Sequence, residues 1–324
     1  MRLAEAGDYR GALPIALEAQ AAFPAHGEVP FWLACIHCRL GDSAAALAAL
    51  RAGLARGHYW PGDWLLGDDD MAPLRGSLEL KAVVRESERA RAAAARPGVL
   101  RPVGLDPPGP PGPPGGVAET AASPRAVVVA LHGWGQDAEE FALHWQAAVE
   151  NGFRVLVPRS SQQPTPGFFV WDDRETARAD VTAQLRSAPG SGQRRTSADR
   201  VPPLLTAGFS QGGGLAVDLA IDADPVTSVG FLAVAAGAED LAALPDRDRL
   251  VAAAARGLRG RLLVGDRDDA LAGAGALSDA AVGAGLACSL TIRPGAGHEM
   301  PEPPGRLLVD ELIALLARVG TEPA

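Results

Sequence analysis

The sequence predicts an α/β fold, with a mostly parallel sheet and helices on both faces, preceded by a small all-α domain. From about residue 125 onward, strand-like and helix-like segments alternate, which is typical of parallel sheets. The first of these segments, Ala126–Leu131, is a continuous apolar run, as expected for a strand that is buried on both faces. Before residue 97 the apolar residues instead recur at helical spacing.

Each element of the α/β part follows from its own pattern. Short runs rich in valine, leucine and isoleucine predict strands, whereas longer segments with helical spacing predict helices. We expect strands at 126–131, 153–157, 204–207, 229–234, 261–264 and 289–292, and helices at 137–150, 174–185, 211–221 and 306–318.

A Pro/Gly-rich run separates the two parts. Residues 101–124 read RPVGLDPPGPPGPPGGVAETAASP, a composition that cannot form the interior of a helix and favours an extended connector. We therefore predict an all-α domain over 1–96, a linker over 97–124 and an α/β domain over 125–324. Residues 99–105 could still pair as an edge strand, and residues 188–200 read as a surface loop.

The N-terminal part contains an internal repeat. The segment GDYRGAL at 7–13 is followed by GDSAAAL at 41–47, so the pattern returns after 34 residues, from position 7 to position 41. A Gly-Asp turn followed by small residues that open a helix resembles the tetratricopeptide repeat, a helical hairpin that often binds proteins. A further, highly charged helix is expected at 78–95.

Composition excludes several classes of function. The formal net charge is −9 and Lys81 is the one lysine, which argues against a nucleic-acid partner. No apolar run is long enough for a membrane span or a secretory signal. Three cysteines do not form a disulfide framework, and one C-x-x-C pair without a second is not a zinc site. We expect a cytoplasmic protein without a metal.

A candidate nucleophile lies in Gly208–Gly212, which reads G-x-S-x-G between a predicted strand and a predicted helix. In this context the serine occupies a sharp turn, and the flanking glycines leave room for it. The simpler interpretation of the same residues is a glycine-rich turn. The strand and helix on either side favour Ser210 as the nucleophile.

A serine hydroxyl needs a base, and the base needs a carboxylate to orient it. His298 follows the last predicted strand, at the edge of the sheet where open α/β sheets build their sites. The preceding strand ends in Gly265-Asp266-Arg267-Asp268-Asp269, so three carboxylates compete. We favour Asp268, with Asp266 as the alternative, and either could instead be a turn or capping residue.

The loop after the first α/β strand is the candidate oxyanion hole. It reads Leu131-His132-Gly133-Trp134-Gly135, and such a loop can direct a backbone N–H at the site together with the N–H of the residue after the nucleophile. Trp134 and Gln211 are therefore the expected donors. His132 more simply braces the loop, although it and Gly133 are also candidates for the substrate pocket.

Five segments in this order, LHGWGQ, FVWDD, GFSQGGG, GDRDD and GAGHEM, resemble the phospholipase/carboxylesterase family, which includes the acyl-protein thioesterases. The resemblance covers about residues 125–318. It implies the α/β-hydrolase fold and a Ser-His-Asp hydrolase of carboxylic esters or thioesters that needs no cofactor. It also places Trp171 near the acyl pocket.

The chain departs from this family in two places. Asp269-Ala270 stands where the family usually has a valine-proline element, which leaves the identity of the acid open, and the repeat domain is not part of the family pattern. Two alternatives follow: an interaction scaffold whose hydrolase domain is weakly active or inactive, and a peptidase of the same fold. We expect a small-molecule ester or thioester as substrate and a protein partner for the repeat domain.

Overall fold

The computed structural model describes residues 2–94, 100–108, 124–188, 201–224, 226–236, 240, 244–302 and 305–317. Most of the expected linker and of the expected 188–200 loop lies outside the described residues. The chain forms two compact units, one of Met1–Val99 with Gln163–Phe169 and one of Leu100–Gln162 with Val170–Ala324.

The second unit is built on a seven-stranded sheet with the order β1-β3-β2-β4-β5-β6-β7. The edge strand β1 runs antiparallel to β3, and the other neighbours are parallel. The predicted α/β class with a mostly parallel sheet is confirmed. The strands are β1 (Val103–Leu105), β2 (Val127–Leu131), β3 (Arg154–Val157), β4 (Leu204–Phe209), β5 (Gly230–Val234), β6 (Arg259–Gly265) and β7 (Ala287–Arg293).

Helices cover both faces of this sheet. Successive side chains of its central strands point to opposite faces and therefore enter different cores. On one face Ala207 and Leu232 pack with α7, α8 and α13, and on the other Phe231 and Ala233 pack with α10, α11 and α12. The helices are α7 (Ala138–Ala142), α8 (Gln146–Glu150), α9 (Arg174–Ser187), α10 (Gln211–Asp222), α11 (Arg247–Ala255), α12 (Leu271–Gly283) and α13 (Arg306–Leu316).

The single helix predicted at 137–150 is instead three short pieces. A 3₁₀ turn at Leu143–Trp145 separates α7 from α8. Phe141, Trp145 and Ala148 all enter the same core, and Trp145 is fully buried. The apolar spacing therefore indicated the buried face correctly but not the interruption.

The first unit is helical. Its elements are α1 (Arg2–Glu5), α2 (Tyr9–Ala22), α3 (Glu28–Arg39), α4 (Ser43–Ala55), α5 (Gly62–Gly67), a 3₁₀ helix (Asp69–Leu74) and α6 (Leu78–Ala94). Among the described residues, no helix combines the length and the apolar character that crossing a membrane requires.

The sequence repeat of this unit has a repeated backbone structure. Gly7 and Gly41 both adopt a positive φ, at 79° and 82°, which favours glycine. The next residue caps the following helix in both cases: a carboxylate oxygen of Asp8 accepts from the Gly11 N–H, and one of Asp42 from the Ala45 N–H, each at 2.9 Å. The two segments are therefore structural equivalents, each closing one helix and opening the next.

Trp60 lies at the centre of the helical unit and is fully buried with all its polar atoms paired. Its indole N–H donates to the carbonyl oxygen of Gly27 at 2.6 Å. Its main-chain N–H donates to the Ser87 hydroxyl at 2.6 Å, and that hydroxyl donates back to the Trp60 carbonyl at 2.7 Å. Ser87 thus connects α6 to the segment before α5.

Residues 163–169 count with this unit because they contact its helices. The Gly27 N–H donates to the Pro166 carbonyl at 2.9 Å, and the Tyr59 hydroxyl donates to the Gln163 side chain at 3.3 Å. The rings of Trp64 and Phe168 meet edge to face at 5.7 Å. The segment therefore has a specific place in the helical unit although it is distant in sequence.

We expect Ser87→Ala to lower the free energy of unfolding of the helical unit by about 1–3 kcal/mol, because it leaves both main-chain groups of buried Trp60 unpaired. Urea unfolding of the full chain checks this, with Ser43→Ala as the control. Ser43 lies in the first turn of α4, where alanine is also a good helix former. Equal stability of the two variants would contradict the prediction.

Candidate active site

The site forms at one edge of the sheet, where the parallel strands end. In the strand register Leu131, the last residue of β2, pairs with Gly208 near the end of β4, so the loops after these two strands start side by side. Gly265 pairs with Arg293, which does the same for the loops after β6 and β7. The candidate residues come from these four loops, except for Gln211, which opens α10, and Trp171. They lie at the edge where α/β sheets build their sites.

Ser210 occupies the turn between β4 and α10 in a strained conformation, with φ 51° and ψ −125°. Two backbone hydrogen bonds hold it there: its N–H donates to the Val234 carbonyl at 2.9 Å, and its carbonyl accepts from the Gly214 N–H at 3.1 Å. A non-glycine residue with such a φ costs on the order of 1–3 kcal/mol and persists where its surroundings enforce it.

The two glycines that flank Ser210 are sterically required. A β-carbon at Gly208 would overlap the backbone of Gly212 in the next turn. A β-carbon at Gly212 would overlap the carbonyl oxygens of Leu131 and His132. The glycine spacing therefore allows α10 to begin in direct contact with the loop after β2, as the sharp strand-to-helix turn demands.

The structure brings Ser210, His298 and Asp268 together in one chain of hydrogen bonds. The His298 Nε2 lies 2.9 Å from the Ser210 Oγ, and the His298 Nδ1 lies 3.0 Å from an oxygen of Asp268. Because a carboxylate only accepts hydrogen bonds, the contact with Asp268 favours the tautomer that carries its proton on Nδ1. In that tautomer Nε2 accepts from the serine hydroxyl. The His298 side chain is 47% exposed, whereas that of Asp268 is 1% exposed.

The three competing carboxylates have different surroundings. Asp268 contacts His298, and the same oxygen accepts from the Ala270 N–H at 2.9 Å, a donor that proline at this position could not supply. Asp266 instead accepts from the Gly295 N–H at 2.8 Å and so links its loop to the histidine loop. Asp269 is exposed.

The two expected oxyanion donors come from adjacent segments. Gln211 opens α10 directly after the nucleophile, and Trp134 lies in the loop after β2 with a half-exposed side chain. The Gly133 N–H of that loop donates to the Gln136 side chain at 2.7 Å. Gln136 is a supporting residue that the sequence analysis missed, although its place at the end of the LHGWGQ segment was a signal.

His132 and Trp171, two of the residues expected near the substrate pocket, are fully buried. The Trp171 indole N–H donates to the His132 carbonyl oxygen at 2.9 Å, and the two rings lie 4.7 Å apart. Burial lowers the pKa of His132 to about 4. The hydrogen bond and the ring contact between these two residues hold the candidate oxyanion loop on its buried side.

Among the described residues, one group of three side chains has the composition of a metal site. Within the helical unit, Cys35, Asp68 and Asp70 bring one ligand atom each within 4.8 Å of one another. Arg39 already pairs with Asp70 at 3.5 Å, and Cys38 of the C-x-x-C pair is not a member of the group. A nearby guanidinium opposes a cation, so we assign no metal here.

No protein-family model and no curated protein matches the chain. Among solved structures, an uncharacterized protein from Bacillus cereus ATCC 10987 matches with a TM-score of 0.50 at 17% identity, over 93% of each chain. Esterase PE8 matches with a TM-score of 0.48 at 19% identity, and acyl-protein thioesterase 2 of Zea mays with 0.47 at 17%. Each of these two covers 67% of this chain and 100% of its own.

These likenesses concern the fold alone. The match to the Bacillus cereus protein covers 93% of this chain and therefore includes the helical unit as well as the sheet. It supports the α/β class that the strand order shows, a mostly parallel sheet covered by helices.

The buried imidazole of His132 predicts a specific loss of stability in acid. Its pKa is about 4 in the folded chain, below the ordinary 6.5. The stability that burial of the neutral imidazole contributes is therefore complete above pH 6.5 and is lost as the pH falls toward 4. We expect the wild type to lose about 2 kcal/mol more than His132→Asn between pH 7 and pH 5. Urea unfolding at both pH values measures this, and identical losses would contradict it.

Proposed function

We propose that the chain is a serine hydrolase that cleaves carboxylic esters or thioesters through an acyl-enzyme on Ser210. The observation that carries the proposal is a chain of hydrogen bonds from Ser210 through His298 to the buried Asp268. Ser210 lies at a strained strand-to-helix turn. A nucleophile, a base and a group that orients the base are what this chemistry needs.

In the first step the Ser210 Oγ attacks the carbonyl carbon while His298 Nε2 takes the hydroxyl proton. The carbonyl oxygen becomes negatively charged, and the N–H groups of Trp134 and Gln211 are the proposed donors to it. The tetrahedral intermediate collapses when the bond to the alcohol or thiol breaks, and that leaving group takes the proton from His298. The acyl group then remains on Ser210.

In the second step water attacks the acyl-enzyme and gives a proton to His298 Nε2. The same donors stabilise the second oxyanion, and Ser210 regains its proton as the acid is released. Asp268 holds the imidazole in the required tautomer and stabilises its charged form. Every role in this cycle falls to a side chain or N–H of the chain itself.

We also propose that the helical unit is a tetratricopeptide-type module that binds a protein partner. The support is the pair of Gly-Asp turns, which share both their φ and their capping hydrogen bond. Repeats of this kind build extended binding surfaces. We further propose a cytoplasmic location, because the three cysteines are free thiols.

Ser210→Ala is expected to lower the hydrolysis of p-nitrophenyl esters by at least about 10³-fold, because the acyl-enzyme can no longer form. The measurement compares wild type and variant on esters from acetate to palmitate, and the chain-length profile of the wild type gives the size of the acyl pocket. Labelling of Ser210 by a fluorophosphonate is the independent readout. A wild type that neither hydrolyses esters nor reacts with the probe would sink the proposal and favour the interaction scaffold.

The choice of acid is tested by a matched pair of amide variants. Asp268→Asn should lower kcat about 10³- to 10⁴-fold, because the amide favours the wrong tautomer of His298. Asp266→Asn should change kcat less than about 10-fold, since its carboxylate binds a main-chain N–H and not the imidazole. The reverse ranking would identify Asp266 as the acid.

A further inference from the structure

Trp171 hydrogen-bonds both segments that supply the proposed oxyanion donors. Its indole N–H donates to the carbonyl oxygen of His132, two residues before Trp134. Its main-chain N–H donates to the side-chain oxygen of Gln211 at 2.7 Å. One residue, from neither segment, therefore bridges the loop after β2 and the start of α10.

A third hydrogen bond completes the bridge. The Gln211 side-chain amide donates to a carboxylate oxygen of Asp172 at 2.7 Å. The amide is thus held at both ends, with its oxygen on Trp171 and its nitrogen on Asp172. Gln211 cannot turn its side chain away without breaking both bonds, so the first residue of α10 is tied to residues 171 and 172.

Burial makes the bond from Trp171 to the loop important for the loop's position. Both Trp171 and His132 are fully buried, so water does not replace the indole N–H as a partner for the carbonyl oxygen. Loss of this bond removes one of the contacts that hold the loop in place, and the loop can then shift. A displacement of about 1 Å in a catalytic group can cost on the order of 100-fold in rate.

We propose that Trp171 is a positioning residue that sets the spacing between the Trp134 and Gln211 N–H donors. It touches no substrate and acts on the transition state through the two segments that it holds. The inference rests on the proposed hydrolase function and identifies what keeps the oxyanion donors of that same site in register. Asp172 assists it through Gln211.

The test replaces the indole and keeps most of its volume. Trp171→Phe retains a ring next to His132 and removes the N–H that binds the loop together with a small part of the indole's carbon skeleton. Trp145→Phe is the matched control, because Trp145 is equally buried and its indole nitrogen has no hydrogen-bond partner in the described part of the chain. Both variants remove the same atoms from a core of the same unit.

We expect Trp171→Phe to lower kcat for a p-nitrophenyl ester about 10- to 100-fold with little change in KM, because only transition-state binding is lost. An alkyl trifluoromethyl ketone gives a second readout. Ser210 adds to its carbonyl, the serine proton moves to His298, and the resulting oxyanion occupies the same donors. Its Ki should rise in parallel with the loss in kcat/KM. Trp145→Phe should lower the melting temperature without either effect.

Equal kcat and Ki for the two variants would overturn the inference and leave Trp171 a core residue. If Trp171→Phe does not fold, Asp172→Ala provides the test, since that side chain is exposed and its loss frees one end of the Gln211 amide. A fall of several-fold in kcat at constant KM supports the bridge, and an unchanged kcat opposes it. Failure of the proposed function itself is distinct, because the wild type would then show no Ser210-dependent hydrolysis.

Discussion

The rest of the site depends on the close approach of Gly212 to the loop after β2. At this point only a hydrogen atom fits between α10 and the carbonyl oxygens of Leu131 and His132. The contact places the start of α10 directly against the loop, two residues after the sharp turn at Ser210. The strained φ of Ser210 persists because hydrogen bonds on both sides of the residue hold it in place. Packing between two backbones thus helps to determine where the proposed nucleophile stands.

His298 and Asp268 are held by a similar pairing of backbones on the other half of the sheet edge. The Arg267 N–H donates to the Ala296 carbonyl at 3.0 Å, and Asp266 binds the Gly295 N–H. Gly265 leaves room for the same loop, because a β-carbon there would overlap the Ala296 carbonyl. These contacts join the loops after β6 and β7 into one support. The distance from His298 to Asp268 is therefore set by main-chain contacts as well as by the hydrogen bond between the two side chains.

Local patterns in the sequence predicted the fold class and the residues that meet at the site, because each motif is short and follows its own strand. The same patterns favoured Asp268 and kept Asp266 as the alternative, since both lie close behind the strand end; the contact of Asp268 with His298 and of Asp266 with the Gly295 N–H comes from the folded chain. They also did not indicate that Trp171 is buried behind the loop or that residues 163–169 pack with the helical unit. Both features arise from contacts between residues far apart in the chain.

Exposure divides the site into two layers with different physical roles. His298 is about half exposed, so a substrate can reach it, whereas Asp268, His132 and Trp171 are buried. Hydrogen bonds in the buried layer are not exchanged with water. They therefore keep one geometry while the exposed groups of the site carry out the proposed reaction. This arrangement suits a reaction whose barrier depends on donors that are already in place before charge develops. A substitution in the exposed layer changes the chemistry directly, while one in the buried layer acts on the rate through the positions of the groups above it.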